Sequence, residues 1–299
     1  MTGAVRTTCP YCGVGCGVLA TPDGSGGVAI AGDPDHPSNF GRLCSKGSAL
    51  GQTVALDGRL LTPMIRGARA GWDAALDLIA GSIRATTPER TAIYGSGQLL
   101  TEDYYVANKL MKGYLGSANV DTNSRLCMSS AVVAHQRAFG EDLVPACYED
   151  LELADLVVLT GANTAWTHPV LFRRLQQARA RRPELRLVVL DPRRTMTAEQ
   201  GDLHLALKPG SDVTLWNGLC RFLLDVDGWD KAYVAQHVSG FEALAGALDD
   251  PAWQLDEVAR SCGLSRSDLL GFYQLFARTP KTVTLFCQGI NQSNQGVDK

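Results

Sequence analysis

At 299 residues, with 45% hydrophobic and 20% charged side chains, the chain has a globular composition with apolar material for two or more cores. A net charge of −3 gives no basic surplus for nucleic acid or an anionic membrane surface. No apolar run approaches the roughly 18 residues a membrane helix needs, and the opening MTGAVRTTCP has neither an apolar export core nor a twin arginine. The expected compartment is the cytoplasm.

Residues 1–57 are glycine-rich and irregular. Val18–Ala20 and Val28–Ala31 read as short strands around the turn TPDGSGG, and the loop GDPDHPSNFGR leads to Cys44. Trp72, Ala75, Leu76, Ile79, Ala80 and Ile83 then follow helical spacing. Thr91–Tyr94 reads as a strand ending in a glycine turn. A helix is expected from Thr101, as cap, to Leu115.

A second α/β run begins near Asp155. Leu156–Thr160 is an apolar strand, GANTAWTHP a turn and Val170–Arg181 a basic helix. Leu187–Leu190 and His204–Leu207 are further strands, and PGSD opens the apolar helix Val213–Leu224. Consecutive βαβ units predict a parallel sheet with right-handed crossovers and ligands at the carboxyl ends of its strands. That puts Gly161–Asn163, Asp191–Arg194 and Gly210–Asp212 on one edge. The closing KTVTLFCQGINQSNQGVDK reads as a strand entering a glycine-rich turn, as if a longer protein were interrupted. The expected fold is α/β. It comprises a small iron–sulfur domain over 1–57, an α/β domain over 58–150 continued by 280–299 and beyond, and a Rossmann-like dinucleotide domain over 151–279.

Nine cysteines divide into a cluster and scattered members. In a cytosolic chain a cluster points to metal before disulfides. Cys9, Cys12 and Cys16 share one loop, CPYCGVGC, and 27 residues separate Cys16 from Cys44. Structural zinc usually takes two separated pairs, whereas a cubane needs thiolates at the corners of a larger object. Gly13, Gly15 and Gly17 let the backbone approach those sulfurs and donate N–H bonds. The spacing therefore predicts a 4Fe–4S cluster. Cys147, Cys220, Cys262 and Cys287 are expected to be plain buried residues. Lys46, in CSKG, reads either as a surface lysine or as a cation between the cluster and a second redox centre.

CPYCGVGC with GRLCSKGSAL and NSRLCMSSAV resembles the molybdopterin oxidoreductases that carry a bis(molybdopterin guanine dinucleotide) molybdenum centre. Within them the chain looks most like the cytoplasmic assimilatory nitrate reductases. The resemblance implies that Cys127 ligates molybdenum. Arg125 and a helix start at Met128-Ser-Ser would both favour its thiolate. It also implies that Lys46 lies between cluster and pterin, and that Gln98, Asn123, Gln288 and Gln292 are pterin contacts. Gly161 and Asn163 match the segment cradling a pyrophosphate. Asp191, Arg193, Thr195, Gly210 and Asp212 match segments around the guanosine. Met128 is expected to line the substrate pocket.

The implied reaction is the two-electron reduction of nitrate to nitrite, with electrons entering through the cluster from ferredoxin, flavodoxin or a flavoprotein reductase. Formate dehydrogenases of the family usually follow the metal-binding residue with a His-Gly-Pro-like stretch, and Met128-Ser-Ser130 stands here instead. The other alternative is a non-catalytic electron-transfer subunit, which would have little reason to keep Cys127 in its NSRLCM context. The family's catalytic chains are much longer, so residues 1–299 alone are expected to be inactive.

Overall fold

The structure, a computed structural model, describes residues 3–299. The chain divides into two compact units. One takes the N-terminal residues up to Pro10 with Val18–Ala31 and Ser45–Ser129, and the other takes Tyr11–Gly17, Gly32–Cys44 and Ser130–Lys299.

In the first unit, β1 (Val5–Thr8), β2 (Gly17–Pro22) and β3 (Val28–Gly32) form a sheet in that order. The turn between β2 and β3 closes on Asp23, whose carboxylate accepts the amides of Ser25 and Gly27, each at 2.9 Å. This turn chemistry is what Asp supplies. β4 (Met64–Ile65) and β5 (Ala68–Arg69) form a hairpin whose two connecting residues, Arg66 and Gly67, both have positive φ (51° and 84°). A tight hairpin with the sheet's own twist requires that conformation. The amphipathic helix Trp72–Arg84 follows, with Trp72 and Ile79 exposed at 68% and 55%, so its apolar stripe is not covered.

β6 (Ile93–Gly95) and β7 (Val120–Thr122) pair in parallel, and a helix between them makes the crossover. Its α-helical part, Thr101–Asn108, runs on as a π-helical segment, Lys109–Leu115, and stops at Gly116 in the left-handed conformation. The cap is Leu100, not Thr101. The Asp103 carboxylate accepts the Leu100 amide at 3.1 Å, so Thr101 falls inside the first turn.

In the second unit, β8 (Leu156–Thr160), β9 (Arg186–Leu190), β10 (Leu203–Leu205) and β11 (Thr282–Phe286) form a wholly parallel sheet in the order β10-β9-β8-β11. Every residue of β8 is buried, as an apolar central strand covered on both faces must be. The helix Pro169–Arg181 crosses from β8 to β9 and buries Leu171, Leu175 and Ala178 along one stripe. The core on one face joins Leu156, Val158, Val188 and Leu190 to Leu215 and Leu219 of the helix Asp212–Asp225 and to Leu269, Phe272 and Tyr273 of the helix Arg266–Ala277.

β8 pairs with β9 on one side and β11 on the other, so the strand order reverses at β8. In parallel sheets that reversal is where ligands bind.

Two scattered cysteines depart from the core expectation. Cys262 is buried and Cys287 partly so, but Cys147 and Cys220 are exposed. Cys147 caps the short helix Tyr148–Leu153, and Cys220 follows the buried pair Gly218 and Leu219 on the outward side of its helix.

Candidate metal and cofactor site

None of the nine cysteines is in a disulfide, Cys9, Cys12, Cys16 and Cys44 included. The loop carrying Cys12 and Cys16 is fastened through the carbonyls of its three glycines. The Tyr148 hydroxyl donates to Gly13 O at 2.9 Å, and the Ser38 hydroxyl donates to Gly15 O at 2.9 Å. The fully buried Asn39 amide donates to Gly17 O at 3.0 Å and accepts from Gly17 N at 2.9 Å. Gly15 has φ +64°, which favours glycine, and Gly17 is pressed so closely on His36 that a Cβ would come within 2.3 Å of the ring. Backbone geometry thus accounts for glycine at Gly15 and Gly17. Tyr148, Ser38 and Asn39 carried no sequence signal, because they act from positions distant in the chain. Among the described residues no three His, Cys, Asp or Glu side chains close on the geometry of a single metal ion. Cys12 and Cys16 are carried by the fastened glycine loop, and Cys44 belongs to the same unit.

Cys127 ends the one-turn helix Asn123–Cys127, and the helix Ser129–Phe139 starts two residues later. Cys127 is exposed and Met128 half-buried between the two helices. The parallel pairing of β6 and β7 brings their carboxyl-end loops together, and Asn123 Oδ1 accepts the Gly97 amide at 2.7 Å. The Gln98 loop, Asn123 and Cys127 therefore share one end of this small sheet. Lys46 is exposed on the helical turn Ser45–Ser48, just after Cys44.

On the larger sheet, the turn after β8 contains the one-turn helix Thr164–Thr167, where plain turn was expected. Asn163 Oδ1 accepts from the Thr197 hydroxyl at 2.8 Å, and Thr197 Oγ1 accepts from Ala165 N at 2.9 Å. Thr197, fully buried, thereby ties the β8 loop to the β9 loop and was not singled out from sequence. Asp191 Oδ1 accepts the Arg193 amide at 2.8 Å, and Thr195 caps the helix Met196–Glu199 through Ala198 N at 3.2 Å. Gly210 has φ +88° just before the helix Asp212–Asp225, and the Asp212 carboxylate meets Lys299 Nζ at 3.0 Å. Gln288 opens the helical turn Gln288–Asn291 after β11, and Gln292 N donates to Gln288 O at 3.1 Å.

The carboxyl ends of β8 and β11 are locked by two glycines. Gly289 N donates to Gly161 O at 3.1 Å, which holds the QGINQ turn against the loop of Gly161 and Asn163. A cavity of about 280 Å³ lies at the same end of these strands, lined mainly by apolar groups including Trp216, Phe286 and Ile290. Asp191 and Thr195 spend side-chain groups on their own loop, and Asn163 and Asp212 on residues distant in the chain, so the edge is built from the protein's own contacts.

Two family descriptions match the chain: the molybdopterin oxidoreductase Fe4S4 domain over residues 2–56, and molybdopterin oxidoreductase over residues 59–299. The chain belongs to the molybdopterin oxidoreductases. It is 53% identical over 298 residues to a nitrate reductase of Klebsiella oxytoca, covering 98% of this chain and 34% of that one. It is 50% identical to a nitrate reductase of Shewanella frigidimarina, covering 98% of this chain and 32% of that one. A formate dehydrogenase alpha subunit of Methanococcus maripaludis is 33% identical, with 98% and 44% covered. Acetylene hydratase from Pelobacter acetylenicus shares the fold, with a TM-score of 0.84 at 23% identity, covering 98% of this chain and 42% of that one.

The chain thus spans about a third of the length of the first two relatives. The family's cofactors are a molybdenum–molybdopterin centre and a 4Fe–4S cluster. The free cysteines suit both as soft donors. No helix among the described residues is long and apolar enough to cross a membrane.

Proposed function

We propose that this chain is the N-terminal part of a molybdenum nitrate reductase acting in the cytoplasm in nitrate assimilation. The 53% identity to a nitrate reductase across 98% of the chain carries this reading. Overall, nitrate takes up two electrons and two protons and gives nitrite and water. A bound molybdenum centre supplies the two-electron oxygen-atom chemistry, and the protein sets access, orientation and electron supply.

Cys127 holds the molybdenum through a thiolate, with Met128 beside the substrate. Cys9, Cys12, Cys16 and Cys44 hold the 4Fe–4S cluster, and Lys46 is the cation between it and the pterin. Gln98, Asn123, Gln288 and Gln292 contact the pterin of a bis(molybdopterin guanine dinucleotide) cofactor. The β10-β9-β8-β11 sheet acts as a Rossmann-like dinucleotide domain. Gly161 and Asn163 would hold the pyrophosphate there, and Asp191, Arg193, Thr195, Gly210 and Asp212 would hold the guanosine. The electron donor is a ferredoxin, a flavodoxin or a flavoprotein reductase.

The test is metal analysis and EPR on anaerobically purified full-length enzyme, with Cys127→Ala alongside. Iron, sulfide and molybdenum are expected in the wild type. The variant is expected to keep its iron and lose nitrate reduction with a viologen donor. Zinc alone in the wild type, or full activity in the variant, would overturn the reading.

A further inference from the structure

Behind the cysteine loop lies a buried cation that the proposed chemistry does not use. Arg174 sits in the helix Pro169–Arg181 with its side chain 1% exposed. Its Nη1 donates to both Pro37 O and Ser38 O at 2.9 Å. Nε donates to Glu152 at 2.5 Å and Nη2 to Glu149 at 3.3 Å. The guanidinium also lies 5.1 Å from the ring centre of Phe40 and 5.7 Å from that of Tyr148. A fully buried guanidinium is costly unless its N–H groups are bonded and its charge is paired, and here four of the five N–H groups have acceptors, two of them on carboxylates.

What Arg174 holds is what holds the cysteines. Ser38, fixed through its carbonyl by Arg174, fastens Gly15 O through its hydroxyl. Tyr148, stacked near the same guanidinium, fastens Gly13 O. In a trans peptide the C=O of one residue and the N–H of the next point in opposite directions. With the Gly13 and Gly15 carbonyls drawn outward, the amides of Val14 and Cys16 face the other side of the loop.

We propose that Arg174, Tyr148 and Ser38 are positioning residues for the iron–sulfur cluster, aiming the Val14 and Cys16 amides at its sulfurs by holding the glycine carbonyls away. This rests on the reading that Cys9, Cys12, Cys16 and Cys44 bind that cluster. N–H donors to cluster sulfur favour the reduced, more negative state and so raise the reduction potential. Loosening them lowers it.

The experiment uses full-length enzyme purified anaerobically as Tyr148→Phe, Ser38→Ala, Arg174→Met and Arg174→Lys. Iron and sulfide content, the EPR signal of the reduced cluster and its midpoint potential are measured. Y148F and S38A are expected to keep wild-type iron while their midpoint falls and their g-values shift. R174M is expected to lose most of its iron, and R174K to retain more of it. Wild-type EPR and midpoint in both Y148F and S38A would overturn the proposal, even if R174M fails to fold. A wild-type enzyme without iron and sulfide would instead remove the cluster reading on which the proposal stands.

Discussion

Gly161 and Gly289 lie backbone against backbone. A Cβ on Gly161 would stand 2.7 Å from Gly289 C, and one on Gly289 would stand 2.6 Å from Gly161 O. Gly161 also has φ +55°, so it bears both a contact and a conformational demand. The pair sets how closely the loops after β8 and β11 approach at the sheet's reversal point.

Gly289→Ala tests the contact alone, since Gly289 is not among the positive-φ residues. Forcing a methyl into packed backbone costs about 1–3 kcal/mol. Gly161→Ala adds about 1 kcal/mol for the left-handed backbone. Urea unfolding of the full-length enzyme should order stability as wild type, then G289A, then G161A. Guanine nucleotide released on denaturing each purified protein should fall in the same order. Equal stability for all three would show that the loops can part freely.

Thr197→Val keeps the shape of a fully buried residue and removes its hydroxyl. Ala165 N then loses its acceptor and Asn163 Oδ1 its donor. A destabilisation of about 1–3 kcal/mol is expected from the stranded polar groups. Hydrogen exchange should show faster exchange at Ala165, with the core strand β8 unchanged. An unaffected Ala165 would mean the two loops are held by something else.

Tyr273 gives a pH-dependent prediction. Its ring is fully buried and its hydroxyl donates to Leu215 O at 2.6 Å. Burial, reinforced by Cys262 and Cys220, pushes its pKa far above the ordinary value of 10.0. The folded state then keeps a proton that the unfolded state releases, so this contribution is intact below about pH 10 and lost progressively above it. Tyr273→Phe loses about 0.5–1.5 kcal/mol for the hydrogen bond at neutral pH. The stability gap between wild type and Y273F should narrow as pH rises beyond about 10. A gap constant across that range would show that Tyr273 ionises as readily in the folded protein.

Much of the larger sheet is legible in sequence because its strands are short apolar runs. Leu156–Thr160 stands with the bounds read from its residues, and the helix behind it begins at Pro169, one residue earlier than expected. β1 was not foreseen, since VRTT is exposed throughout and has no alternation to betray it. The cysteine spacing and the glycine turns announce a cofactor site, as local signals do. The residues that hold those turns are silent in sequence, because their partners are remote. Arg174 meets Pro37 across 137 positions, and Tyr148 meets Gly13 across 135. In the sequence Arg174 is one arginine of a basic helix, and only the fold reveals it as a buried charge behind the loop.

Nitrate reduction by the full-length enzyme is tested by one paired assay. Full-length enzyme, purified anaerobically with its metals, is given nitrate with reduced viologen, and formate with oxidised viologen. The account predicts nitrite formed in proportion to viologen oxidised, two electrons per nitrite, with no reduction of viologen by formate. Formate oxidation without nitrite formation would contradict it.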